Sequence, residues 1–241
     1  MISYALAMRT FPMRLASFSS VVALTVSLLG NGCSKEFTRS TVAVIFSVKG
    51  NVAFGHAERN DLQPVTPKSR IQAGDVVRTS DGASINLALI SGVFVQLTEN
   101  SEIKIEDLRL TKDGNDTAER MINRRAWIRL NRGRIVCSFS QSDKTPSDFG
   151  IATAQITLTP ASDCLFSIWT DGTTSRATCE RGEVNASVDT QPPLKIAAGY
   201  FCQWPTASKE PIAASTDPRA QIDITTALGI EPELMDQAAG W

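Results

Sequence analysis

Between Ala73 and Ile105 the chain reads AGDVVRTSDGASINLALISGVFVQLTENSEIKI, with apolar and polar residues alternating through most of its length. A period of two matches the pleat of a β-strand, whose successive side chains point to opposite faces, and fits no helix. Ala83, Ile85, Leu87 and Leu89 therefore share one face of a strand, and Val93, Val95 and Leu97 share one face of the next. A three-residue loop, Ile90-Ser91-Gly92, with the glycine in the left-handed region, aligns those faces. It sets Leu89 opposite Val93, Leu87 opposite Val95 and Ile85 opposite Leu97, whereas a one-residue slip would turn the whole apolar set to solvent.

The same signature continues on both sides. Thr41 to Gly55 is rich in β-branched and aromatic residues, broken at Lys49-Gly50, and DLQPVTPKSRIQAGD carries prolines that confine it to loop or edge. SEIKIEDLRL and INRRAWIRL flank the turn-rich KDGND, and Asn131-Arg132-Gly133 is expected to break the chain before RIVCSFS. FGIATAQITLTP, a hairpin at Asp171-Gly172, EVNASV and LKIAAGYFCQW complete the series. Many short strands without an amphipathic helix among them predict an all-β fold, a two-layer β-sandwich or β-roll of mostly antiparallel strands. After Pro205 the composition turns to Ala, Pro and Thr, which predicts a mobile or surface-docked tail over 206–241 with short helices near Asp223–Leu228 and after Pro232.

The N-terminus has a different character. Arg9 and Arg14 precede the apolar run Leu15–Gly30, too short to span a bilayer comfortably, and small residues follow, as in a secretory signal peptide over 1–32. LLGNGCSK resembles the lipobox of bacterial lipoproteins, which implies a lipid anchor on Cys33, although Gly30 stands where the family has Leu. A plain signal-peptidase site with Cys33 as a free thiol, and an uncleaved anchor, are the other two readings. Residues 33–40 are then a linker. The chain has 24 basic and 25 acidic residues, and cleavage before Cys33 removes only Arg9 and Arg14, leaving 22 against 25. A mildly acidic surface excludes the basic footprint of a nucleic-acid binder.

Candidate chemistry is sparse. The single histidine, His56, follows a glycine at a strand end, where a surface role is expected, and no GxSxG, HExxH, SxxK or P-loop occurs. No metal or other cofactor is expected. Four cysteines remain, Cys137, Cys164, Cys179 and Cys202. A two-residue hairpin at Asp171-Gly172 would place Cys164 opposite Cys179 and leave Cys137 to pair with Cys202; buried free thiols are the alternative. The basic cluster ERMINRRAWIRLNRGR puts Arg125, Trp127 and Arg129 on one strand face and Ala126, Ile128 and Leu130 on the other. This face is a candidate for gripping an acidic protein or an anionic polymer, and an edge strand guarded by charge is the structural alternative.

Several short pieces together resemble the FecR-type domain, named for a periplasmic regulator of ferric-citrate uptake. They are Val48-Lys49-Gly50-Asn51-Val52, Gly74-Asp75-Val76-Val77-Arg78-Thr79, the hairpin GASINLALISGVFVQLTENSEI, and Gly133-Arg134-Ile135. Phe149 to Ala154 follows the family's F-x-V-x-T-P segment with Ala in place of Pro, Gly182-Glu183-Val184 and Ala198-Gly199 close the series, and Asp163-Cys164-Leu165-Phe166 departs from the family's G-T-x-F. The resemblance spans about Thr41 to Trp204 and implies a FecR-like β domain over 41–205 that transmits signals or mediates protein contacts without catalysis. Regulators of that type add a cytoplasmic anti-sigma segment and a membrane-spanning helix. The short stretch before Leu15 leaves room for neither, so a free-standing protein of the periplasm or outer membrane is expected. Its expected partner is an envelope protein such as a transport receptor or signalling regulator. Binding of an anionic envelope polysaccharide is the second reading and a carboxylate-based hydrolase the third.

Overall fold

The computed structural model describes residues 36–59, 61–114, 120–141, 144–188, 192–205 and 210–238. The signal peptide, Cys33 and part of the tail lie outside the described residues. In chain order the strands are β1 (Glu36–Ser40), β2 (Val42–Lys49), β3 (Val52–His56), β4 (Gln63–Pro64), β5 (Ile71–Gln72), β6 (Asp75–Thr79), β7 (Ser84–Ile90), β8 (Val93–Leu97) and β9 (Glu102–Asp113). They continue as β10 (Met121–Phe139), β11 (Ser147–Ala152), β12 (Thr157–Pro160), β13 (Cys164–Thr170), β14 (Ser175–Arg181), β15 (Glu183–Ser187), β16 (Leu194–Ala197), β17 (Tyr200–Trp204) and β18 (Ile212–Ala213). A 3₁₀ turn, Ala214–Thr216, leads into the helix α1 (Pro218–Ala238).

Strand pairing joins these elements into one mixed sheet folded on itself as an all-β, sandwich-like structure. The first layer runs β4-β3-β6-β9-β10-β11-β12-β15-β16, with β1 beside the far end of β9. The second runs β2-β7-β8-β10-β13-β14-β17-β18, and β5 pairs with the start of β2. Pairing is antiparallel except between β10 and β11. The apolar faces of the two layers meet in a core that includes Leu87, Val95, Ile103, Ile105, Ile128, Ile151 and Phe166.

The layers are connected by β10, which belongs to both. Its first part pairs with β9 and β11, and from Gly133 onward it pairs with β8 and β13. The expected break at Asn131-Arg132-Gly133 is therefore a bend inside one long strand. Gly133 sits at φ +90°, a conformation costly for any residue with a Cβ, and an added Cβ would lie 2.2 Å from Ser101 Oγ. The bend thus combines a left-handed backbone with close strand approach.

The hairpin at Ser91-Gly92 keeps two of the expected pairs, Ile85 with Leu97 and Leu87 with Val95. Its turn differs from the expected three-residue loop. Ile90, not Leu89, stands opposite Val93, because a bulge at Leu89 shifts the register and leaves a two-residue connection. The bulge keeps Leu89 inward at 1% exposure.

The residues of β7 that alternate away from the core before the bulge, Asn86 and Ala88, are buried too. Part of the reason lies at the C-terminus. Instead of two short helices there is one continuous helix, α1, docked on the outer face of the second layer. Ala227 and Leu234 pack against Ala88, Phe94, Val136 and Leu165, with Val44, Phe46 and Ile230 at the margin. Its inward positions, Ala220, Asp223, Ala227, Ile230 and Leu234, follow the three-four spacing of a helix face. Pro232 does not end the helix. Pro232 and Leu228, whose carbonyl it leaves without the usual partner, are both exposed, where water can satisfy that carbonyl. Residues 36–40, expected as linker, form β1 on the end of β9.

Candidate functional site

The outward face of β10 in the first layer carries Arg125, Trp127 and Arg129, all half-buried, while Ala126, Ile128 and Leu130 are at most 1% exposed. β10 is not an edge here. It lies between β9 and β11, so charge on this face does not guard an open strand.

Those neighbours supply the counter-charges. Arg125 Nε donates to Asp107 Oδ2 on β9 at 2.8 Å, and its Nη1 meets Asp148 Oδ2 on β11. The indole N–H of Trp127 donates to Asp148 Oδ1 at 3.0 Å, and the Arg125 guanidinium carbon sits 5.2 Å from the Trp127 ring centroid. Arg129 Nε donates to Glu106 Oε1 at 2.6 Å, and Arg109 Nε lies 3.2 Å from Asp107 Oδ2. Strict alternation would send the adjacent Glu106 and Asp107 to opposite faces. A bulge in the β9–β10 register between Trp127 and Ile128 lets both reach the arginine side. Gly150, opposite Trp127 on β11, provides a floor for the ring, since a Cβ there would lie 2.7 Å from Trp127 Cζ3.

The assembled face is a flat, half-exposed array with its arginines matched to carboxylates. Such a surface has little excess charge for a polyanion, and it holds a guanidinium and an indole in fixed positions, the residue types that dominate protein hot spots. Glu106, Asp107, Asp148 and Gly150 had no functional signal in the sequence; a bulge and a parallel pairing bring them together, and neither is visible locally.

The cysteines occupy the core. All four are buried and free. The hairpin after β13 is not a two-residue turn, because Asp171 Oδ1 accepts the N–H groups of Thr173 and Thr174 and closes a four-residue loop between Thr170 and Ser175. That loop sets Cys179 opposite Phe166 and not Cys164, and a bulge at Glu180 follows before Leu165 pairs with Arg181. The register that would have bridged Cys164 and Cys179 is absent, and Cys202 stands opposite Ala177. Burial pushes the Cys164 and Cys179 thiols up to about 12, Cys202 to about 11, and Cys137 well above its ordinary range.

His56 closes β3 opposite Asp75, with its Nδ1 buried and without a hydrogen-bond partner. Among the described residues no group of three or more His, Cys, Asp or Glu is placed to hold a metal, and no helix is long and apolar enough to cross a membrane.

Strand order, layer packing and the arginine face define an all-β domain with a half-exposed, charge-paired face on its first layer. Residues 75–185, running from β6 into β15, match the family model described as FecR protein, and the matched segment holds the whole Arg125–Trp127–Arg129 face. Two crystal structures of a candidate anti-sigma factor from Parabacteroides distasonis ATCC 8503 are similar at 12% identity, with TM-scores of 0.40 and 0.39. Each comparison covers 57% of this chain and 57% of the other. No curated protein matches the chain.

Proposed function

We propose that this protein is a non-catalytic, extracytoplasmic component of envelope signalling that binds another protein through the Arg125–Trp127–Arg129 face. The observation that carries the reading is the charge-matched array of Arg125, Asp107, Asp148 and Trp127 inside the FecR-type segment. It offers a partner an indole edge, a stacked guanidinium and carboxylate oxygens on a rigid sheet. The apolar run Leu15–Gly30 and Cys33 support export and lipid attachment at the envelope, which would confine the search for a partner to two dimensions. A receptor or membrane-bound regulator with a mixed-charge surface is the fitting partner. Polymer binding through the same arginines is the weaker reading, since Arg125 and Arg129 are already paired.

The test is in-cell crosslinking of the tagged full chain, with captured proteins identified, alongside the Arg125→Glu, Trp127→Ala double variant. Folding of the variant is checked by its circular dichroism and melting temperature. Loss of a reproducibly captured protein by a folded variant is the expected result. Unchanged capture would remove the face from the interaction.

A further inference from the structure

Away from the arginine face, a cleft of ≈ 780 Å³ opens where the turn after β8, the bend of β10, the β13–β14 hairpin and α1 converge. Its lining includes Lys49, Glu99, Arg132, Trp169 and Asp171. Unlike Arg125 and Arg129, Lys49 and Arg132 are exposed and meet no carboxylate among the described residues. The indole N–H of Trp169 likewise has no acceptor among them.

The cleft's other groups are held in place. The Arg176 guanidinium carbon lies 5.3 Å from the Trp169 ring centroid, and Arg176 is itself fixed by Asp223, so the ring is braced from one side. Asp171 Oδ1 accepts Thr173 N at 2.8 Å and Thr174 N at 2.7 Å, and Glu99 Oε2 accepts Gly82 N at 2.8 Å. The second oxygen of each carboxylate is uncommitted among the described residues. Backbone N–H donation also holds the Asp171 carboxyl below its usual range, which keeps it an acceptor and unsuits it to protonate a leaving group.

We propose that this cleft binds an acidic saccharide, with a sugar ring on Trp169, hydroxyls donating to Asp171 and Glu99, and a sugar carboxylate received by Lys49 and Arg132. The mixture of charges selects this class. A neutral glycan would leave two cations without partners, and an acidic peptide would bring carboxylates against Glu99 and Asp171 with few hydroxyls to satisfy them. The site binds without cleaving, since the loop amides of Thr173 and Thr174 hold Asp171 as an acceptor.

The full chain is run by affinity electrophoresis through gels containing polygalacturonate, with dextran and poly-L-glutamate in parallel gels. Retardation by polygalacturonate alone, without shortening of the polymer, is expected. Lys49→Gln and Arg132→Gln, both surface changes, should each weaken it about tenfold, the scale of one lost charge-assisted hydrogen bond. Trp169→Ala should abolish it, while Lys195→Gln on the first layer should leave it intact. No retardation, or equal retardation of the Lys49→Gln, Arg132→Gln double variant, overturns the proposal. Stronger retardation by poly-L-glutamate overturns it in favour of an acidic peptide, and polymer shortening overturns the non-cleaving site.

Discussion

Arg176 and Asp223 meet at 2.6 Å between Nε and Oδ2, with side chains 4% and 0% exposed, and this contact ties α1 to β14 beneath the helix. Arg134 Nη2 approaches the other carboxylate oxygen at 2.7 Å, and the Thr178 hydroxyl lies 3.3 Å from Oδ2. A carboxylate this deep is tolerable only because two guanidinium groups neutralise it. The helix is thus positioned by a charge as well as by Ala227 and Leu234.

Asp223→Ala should therefore cost much more than the loss of a surface pair. It strands the Arg176 guanidinium in the interior, a change worth about 3–5 kcal/mol, read as a lowered urea midpoint. An unfolding free energy within about 0.5 kcal/mol of the parent, the size of an ordinary surface substitution, would show that apolar packing alone seats α1.

Gly133 is a second point of sensitivity. Gly133→Ala combines a φ of +90° with a Cβ placed 2.5 Å from Ser101 Cα, which is backbone and not a movable side-chain tip. A loss of at least about 2 kcal/mol in thermal or urea unfolding is expected. An unchanged melting temperature would mean that β10 bends by another route.

The parts of this fold readable from sequence are those governed by a local period. The alternation in Ser84–Ile90 announces a strand and its inward face, but the burial of the opposite face depends in part on α1, more than a hundred residues away. Gly133 carries a break signal that is locally correct, yet pairing with β8 and β13 continues the strand across it. For the candidate face, period two places Arg125, Trp127 and Arg129 together, while their neutralisation depends on Glu106 in a bulge and on Asp148 in a parallel strand. The Cys164–Cys179 register failed for a related reason: Asp171 caps a longer loop than the Asp-Gly pair alone implies. The inward positions of α1 include an aspartate and two alanines, weak local signals without the arginines that receive Asp223.

The thiols make a pH prediction. Burial raises Cys164 and Cys179 from 9.0 to about 12, so between those values the folded protein holds protons that the unfolded chain has released. Their contribution to stability is complete below pH 9 and is lost as pH rises toward 12. Urea midpoints should fall across that window, and less so in a Cys164→Ala, Cys179→Ala variant. At pH 8, iodoacetamide should leave Cys137, Cys164, Cys179 and Cys202 unmodified in the native protein and label them in urea, because the reactive thiolate is both scarce and inaccessible. Rapid native labelling at any of these positions, mapped by mass spectrometry, would contradict that burial.

Gly150 links the fold to its proposed recognition face. Adding a Cβ places an atom 2.7 Å from Trp127 Cζ3 and 2.8 Å from Cη2, so Gly150→Ala must lift the indole off β11. Lifting it should break the 3.0 Å bond from the indole N–H to Asp148 and disturb the Arg125 stacking, while Ala126 and Ile128 stay in the core beneath. Stability should fall by about 1–3 kcal/mol, the cost of overpacking, with the strand register intact. The informative readout is the comparison with Trp127→Ala, which empties the same space without a clash. If the face works as a rigid array, both variants lose partner capture together. If Gly150→Ala shifts the tryptophan's fluorescence yet retains capture, the indole's position is unimportant and the array acts through its charges alone.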